Sequence, residues 1–237
     1  MTTFLLVHGA FRGGWAFGGV RRQLHHLRHD AFAPSLRGMG ERREPPGTEV
    51  RLADWVDELA ALLDAEDASD VVAVGHSQGG MVISALASRH PERLAGLVYL
   101  DAPVAQPGDR GVDLLGGPRL ANDQLPPAST WLEPTPIDAD AGLPADLTAW
   151  VNRRLCATPF GPSLDVVLDE PSILPARYAF CSATPLSYPS TVTRARFDAG
   201  GTPYRLLDAP HDVPIAQPEL VAALLEEFAD GMGLLSR

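Results

Sequence analysis

Val71-Val72-Ala73-Val74-Gly75-His76-Ser77-Gln78-Gly79-Gly80-Met81-Val82-Ile83 decides how this chain folds. A β-branched apolar run leads directly into Gly-x-Ser-x-Gly, and Met81-Val82-Ile83-Ser84-Ala85-Leu86-Ala87 then places apolar residues at helical spacing. Strand, tight turn and helix form the context in which Gly-x-Ser-x-Gly presents a nucleophilic serine. The turn imposes strained backbone angles on Ser77. Gly75 and Gly79 lack Cβ atoms, so strand and helix can approach closely. The Ser77 hydroxyl is expected at the carboxyl end of a sheet, beside a helix N-terminus that favours developing negative charge.

Working outward, strand and helix alternate, which predicts an α/β fold with a mainly parallel, doubly wound sheet. Thr3 to Val7, Asp30 to Pro34, Val71 to Val74, Leu94 to Leu100, Ala176 to Cys181 and Tyr204 to Leu207 read as strands. Trp15 to Leu27 reads as a helix weakened by Gly18 and Gly19. Leu52 to Asp64 repeats apolar residues at Leu52, Trp55, Val56, Leu59, Leu62 and Leu63, an amphipathic helix. Gly79 to Arg89 and Glu219 to Phe228 read as further helices. Between Val104 and Pro175 the alternation stops. That stretch is rich in proline and glycine, with a weak helical patch over Asp146 to Leu155. Its tryptophans, Trp131 and Trp150, and its leucines favour a folded insertion over a linker. The expected organisation is a core of residues 1–103 and 176–237 with a cap insertion over 104–175.

Bulk properties narrow the function classes. A chain of 237 residues with 45% hydrophobic content can bury a sizeable single core. A formal charge of −11 disfavours nucleic acid and anionic membrane surfaces as partners. No apolar run approaches the ~20 residues that span a bilayer. Phe4-Leu5-Leu6-Val7 is too short for the apolar region of a signal peptide and lacks a basic lead, so a cytoplasmic location is expected. Two cysteines, Cys156 and Cys181, form neither a disulfide framework nor a metal motif. Cys181 reads as a small core residue. No metal or organic cofactor is expected.

A serine nucleophile needs a base, and the base an orienting acid. Of seven histidines, His25, His26 and His29 sit among arginines on what reads as a solvated face. His90 ends a helix before Pro91. His8 closes the first strand and is expected to brace its loop. His76 adjoins Ser77 but should point another way. His211 follows a strand, in Asp208-Ala209-Pro210-His211-Asp212, ahead of the closing helix. That puts it at the carboxyl edge of the sheet, where open α/β sheets bind ligands, so His211 is the expected base. The oxyanion hole should take one backbone N–H from Gln78 and one from the loop His8-Gly9-Ala10-Phe11, where Ala10 is the expected donor. Gly9 allows that loop to turn inward. Gly9-Ala10-Phe11-Arg12-Gly13-Gly14 does not match a dinucleotide or phosphate loop.

Phe4 to Trp15, Gly75-His76-Ser77-Gln78-Gly79-Gly80-Met81 and Ala209-Pro210-His211-Asp212 resemble the α/β-hydrolase superfamily. The nearest branch is similar to small esterases that include methyl-salicylate-type esterases and hydroxynitrile lyases. Leu36-Arg37-Gly38-Met39-Gly40-Glu41-Arg42 and Leu97-Val98-Tyr99-Leu100-Asp101-Ala102-Pro103 resemble bacterial relatives. The resemblance spans nearly all of the chain outside 104–175. With the first strand starting near Met1, the antiparallel strands that open larger members are not expected.

The chain departs from that family in one place. The resemblance implies a catalytic acid after the strand Ala176 to Cys181, yet no Asp or Glu lies between Glu170 and Asp198. Asp101, directly after the strand Leu94 to Leu100, is the expected substitute, as in some other branches of the superfamily. Asp208, Asp212 or no acid at all are the alternatives. The expected activity is hydrolysis of a small carboxylic ester or related acyl compound through an acyl-enzyme on Ser77. A lyase, cyclase or acyltransferase on the same scaffold is the second reading, and a non-catalytic receptor the third. Hydroxynitrile lyases of this branch carry threonine at the position of Gly9 and lysine at that of Asp212, which disfavours cyanohydrin cleavage. Gly9, Phe11 and Trp131 are the expected substrate contacts, for a small molecule with an apolar or aromatic acyl group.

Overall fold

The computed structural model describes residues 1–138 and 142–234. Residues 139–141 of the expected insertion and 235–237 of the closing segment lie outside the described residues. The strands are β1 Thr3–Val7, β2 Asp30–Phe32, β3 Val71–His76, β4 Leu94–Leu100, β5 Trp131–Leu132, β6 Thr158–Pro159, β7 Ala176–Cys181 and β8 Arg205–Leu207. The helices are α1 Gly18–His26, α2 Leu52–Ala65, α3 Gly79–Arg89, α4 Ala145–Asn152, α5 Pro189–Gly200, α6 Val213–Ala216 and α7 Pro218–Gly231.

Six strands form one sheet in the order β2-β1-β3-β4-β7-β8. Every neighbouring pair is parallel, so helices must cover both faces. Period-two alternation divides the apolar side chains between them. Leu5, Val7, Ala73, Leu97 and Tyr99 meet Trp55, Leu59 and Leu63 of α2 and Val82, Ile83 and Leu86 of α3. Phe4, Leu6, Val72, Val74, Val98 and Leu100 meet Val20 and Leu24 of α1 and Val221, Leu225 and Phe228 of α7. The α/β, doubly wound architecture is the one the sequence predicts.

From β1 the chain passes to β2 on one side and then to β3 on the other. This reversal opens a crevice at the carboxyl ends of β1 and β3. The glycines of the elbow set how tightly it closes. A Cβ on Gly75 would lie 2.5 Å from the Gly79 carbonyl oxygen, and one on Gly79 would lie 2.3 Å from that of Val7. Either side chain would drive α3 off the sheet.

Several boundaries move for local reasons. The helix expected over Trp15 to Leu27 is a 3₁₀ turn, Gly14–Phe17, followed by α1. A Cβ on Gly14 would fall 1.9 Å from the Ala33 carbonyl oxygen, so the chain enters α1 pressed against the end of β2. The strand expected over Asp30 to Pro34 stops at Phe32, since proline cannot donate to a ladder. Helix α5 is absent from the sequence expectation. Its buried stripe, Ser190, Thr193 and Phe197, has helical spacing but is mostly polar. Between β4 and β7 lie α4, several 3₁₀ turns and the antiparallel pair β5-β6. Val112, Leu114, Val151, Val167 and Leu168 are buried there, so this stretch is packed structure. Among the described residues no helix is long and apolar enough to cross a membrane.

The glycine contacts give a direct test. Gly79→Ala should destabilise by about 3 kcal/mol or more, because backbone atoms rather than a yielding side chain oppose the methyl. In Gly18→Ala the new Cβ would meet nothing nearer than the Arg22 guanidinium at 3.7 Å. That change should stabilise by up to about 1 kcal/mol through lost unfolded-state freedom. Denaturant titration of both variants measures this; similar midpoints for the two would refute the close-approach account.

Candidate active site

Ser77 sits between β3 and α3 with φ +53°, the left-handed conformation of the tight turn. Its N–H donates to the Leu100 carbonyl at 3.3 Å, and its own carbonyl accepts from Gly80 N–H at 2.9 Å. A Cβ on Gly9 would lie 2.7 Å from Ser77 Cβ, so the loop after β1 rests directly on the serine. His8 holds that loop. Its Nε2 accepts from Leu36 N–H at 3.0 Å, which leaves Nδ1 to donate to the Gly9 carbonyl at 2.8 Å. This is the bracing role expected for it. Burial pushes the His8 imidazole down to about 4, so it stays neutral.

His211 follows β8 in the loop before α6, as expected. Its Nδ1 lies 2.5 Å from Asp101 Oδ2. Asp101 closes β4, is buried, and adopts φ +44°, a conformation that aspartate tolerates better than most residues. The loop after β7 carries no carboxylate but serves Asp101 in another way. Thr184 Oγ1 donates to Asp101 Oδ2 at 2.5 Å, and Cys181 N–H donates to Oδ1 at 3.3 Å. Burial raises the Asp101 carboxyl, but the His211 and Thr184 hydrogen bonds outweigh it and hold the group below its ordinary range. The rivals are occupied elsewhere. Asp208 is exposed and accepts from Ser182 Oγ at 3.2 Å. Asp212 takes both Nε and Nη2 of Arg12, at 2.9 and 2.7 Å.

Three further residues hold His211: His76, which the sequence reading sets aside as a base, and Tyr188 and Arg12, which it does not single out. His76 Nε2 donates to the His211 carbonyl at 2.8 Å, with ring centroids 4.7 Å apart. Tyr188 packs edge-on against the His211 ring at 4.4 Å. Arg12 anchors the adjacent Asp212. The sequence signal for that pair is an arginine and an aspartate, each next to a residue of the expected site.

Ser77, His211, Gly9, Ala10, Phe11 and Gln78 all line one cavity of about 260 Å³. Met81, Leu114, Leu115, Leu132 and Phe160 make most of the rest apolar. Among the described residues the Ala10 and Gln78 backbone amides have no protein acceptor. No hydrogen bond joins Ser77 Oγ to His211 among those residues; catalytic contacts commonly tighten only around substrate. Trp131 corrects an expectation, because it does not line this cavity. Its indole donates to the Thr48 carbonyl at 3.0 Å, and its ring covers Gly38. Its neighbour Leu132 lines the cavity instead, because successive strand residues face opposite ways. His29 also differs from expectation: it is buried, with Nδ1 accepting from Thr2 N–H at 3.1 Å. Among the described residues no cluster of His, Cys, Asp and Glu could hold a metal ion.

A family model described as the alpha/beta hydrolase family matches residues 4–224. The chain belongs to this family. It is 35% identical over 167 residues to a carbendazim hydrolyzing esterase from Nocardioides sp. (strain SG-4G), covering 65% of this chain and 68% of that one. It is 32% identical over 242 residues to lipase LipV of Mycobacterium tuberculosis, covering 93% and 90%. Among solved structures, an Arabidopsis methylesterase superposes with a TM-score of 0.76 over 98% of this chain and all of its own, at 17% identity, a likeness of fold. Membership and these relatives make the protein an enzyme of the hydrolase class that acts on esters.

Two buried neutral histidines make the fold acid-sensitive. Burial, with the nearby His211 for His76, lowers both His8 and His76 from 6.5 to about 4. Between those values the unfolded chain binds the extra protons, so stability falls as pH drops from about 6.5 towards 4, by several kcal/mol in total. Thermal unfolding followed across that range should show Tm falling steadily; a flat profile would contradict the burial of these rings.

Proposed function

We propose that this enzyme is a serine hydrolase that cleaves a small carboxylic ester through an acyl-enzyme on Ser77. The observation that carries the reading is the buried contact of Asp101 with His211 Nδ1, which leaves Nε2 free in the cavity that holds Ser77. His211 takes the Ser77 proton on Nε2 as Oγ attacks the ester carbonyl. Asp101 fixes the ring with its proton on Nδ1 and supports the imidazolium. The Ala10 and Gln78 amides hold the oxyanion, each contributing about 3–4 kcal/mol by analogy with measured donors. The intermediate collapses, and His211 returns its proton to the departing alcohol. Water activated by the same imidazole then releases the acid. Gly9 and Phe11 complete the wall against which the acyl or alcohol group packs.

The stretch 104–175 serves as a cap. Its Leu114, Leu115, Leu132 and Phe160 supply apolar wall. Thr158 accepts the Phe11 N–H at 2.6 Å, tying the cap to the oxyanion loop. An apolar or aromatic ester of modest size fits this lining.

Ser77→Ala should fold normally, lose labelling by a fluorophosphonate, and lower turnover by up to about a millionfold. Asp101→Asn should keep the fold and cut turnover by about ten-thousandfold. A folded Asp101→Asn enzyme within tenfold of wild type would remove Asp101 from the mechanism.

The cap is tested by neighbours of opposite orientation. Leu132→Ala should reorder kcat/KM across a panel of alkyl and aryl esters. Trp131→Ala should lower Tm and leave that order unchanged. The reverse pattern would place the substrate on the other side of β5.

A further inference from the structure

The catalytic proposal uses neither Arg12 nor Asp212, yet both are buried beside it. Asp212 directly follows His211, and its carbonyl accepts from Ile215 and Ala216 at 2.9 Å each, so it starts α6. Arg12 belongs to the other half of the site, the loop after β1. Its Nε and Nη2 make a bidentate pair with Asp212 at 2.9 and 2.7 Å, while Nη1 donates to the Ala10 carbonyl at 3.3 Å. A single guanidinium therefore spans the oxyanion loop and the histidine segment.

The peptide between Ala10 and Phe11 shows why such a brace is needed. Phe11 adopts φ +64°, a left-handed conformation without the freedom of glycine. That peptide is held at both ends, with its carbonyl on Arg12 and its N–H on Thr158 Oγ1 at 2.6 Å. It adjoins, through the Ala10 Cα, the peptide that carries the Ala10 N–H, so pinning it limits how far that N–H can turn. An oxyanion donor is effective only when aimed at the place where charge develops.

The pair also controls charge. Asp101, Asp212, Arg12, His76 and Tyr188 surround His211. Burial raises the Asp212 carboxyl, but Arg12 overrides it and lowers the group to about 2, with His211 adding to the effect. Asp212 is thus a permanent anion beside the base, and Arg12 cancels it.

We propose that Arg12, through its paired contact with Asp212, is a positioning residue that locks the Ala10 oxyanion donor in register with His211 and leaves Asp101 as the one uncompensated carboxylate acting on the base. This rests on the serine-hydrolase reading above.

The test compares apolar replacement of the pair with removal of one charge. Replacing a buried ion pair by apolar residues is often neutral or stabilising, so Arg12→Met combined with Asp212→Leu should fold with Tm near wild type. Its kcat on an aryl ester such as p-nitrophenyl butyrate should nevertheless fall about a hundredfold, the scale of one misaimed oxyanion donor, while KM changes only a few-fold. Arg12→Met alone leaves an anion beside His211 and should move the acid limb of the pH–rate profile to higher pH. Asp212→Asn alone leaves a cation there and should move it to lower pH, each by about one unit. A stable double variant with wild-type kcat would overturn the proposal, as would acid limbs that stay in place or move the same way. The parent reading fails separately, if the wild-type enzyme neither labels with a fluorophosphonate nor turns over any ester.

Discussion

The close approach of β3, α3 and the loop after β1 governs the rest of this molecule. Gly75, Gly79 and Gly9 each occupy a place where a methyl group would meet backbone or Ser77 at 2.3–2.7 Å. Removing three Cβ atoms lets a non-glycine residue, Ser77, sit at φ +53° between a buried strand and a buried helix. A left-handed serine costs on the order of 1–3 kcal/mol. The apolar surfaces buried on both faces of the sheet offset that cost, so the turn cannot relax without opening the core. The serine hydroxyl is in this way held out at the carboxyl edge, with the Ala10 and Gln78 amides beside it.

Asp101 is held by a second constraint. Asp101 ends β4, and β7 and β8 lie in order beyond it, so His211 must reach back across the end of β7. The loop after β7 has no carboxylate to offer but supplies a hydroxyl from Thr184, and the last residue of β7, Cys181, supplies an amide. A buried aspartate with these donors and His211 is satisfied on both oxygens. The loop after β7, through Thr184, thus orients a carboxylate that stands at the end of the neighbouring strand.

Charge is apportioned with similar economy. Two aspartates lie near His211, and an unpaired second anion would compete with the first for the imidazolium. Arg12 takes Asp212 in a bidentate pair, the geometry that guanidinium and carboxylate share. Asp212 is therefore paired with Arg12, while His211 Nδ1 meets Asp101. The cavity wall is set as simply: along β5 the pleat turns Trp131 to the Thr48 carbonyl and Leu132 to the cavity.

The sequence by itself determined the elements with strong local periodicity. The bounds of α3, β1, β4 and β7 match the expectation to the residue, because apolar spacing and glycine punctuation are local signals. Ser77 was legible for the same reason, since strand, turn and helix are contiguous. His211 was legible from its place after a late strand. Helix α5 was not, because polar Ser190 and Thr193 occupy most of its buried stripe. Tertiary structure alone shows that Asp101, and not Asp208 or Asp212, meets His211 Nδ1, that Trp131 stands outside the cavity lined by Leu132, and that Arg12 pairs with Asp212. Each depends on which atoms meet across strands far apart in the chain, and a linear pattern carries no record of those distances.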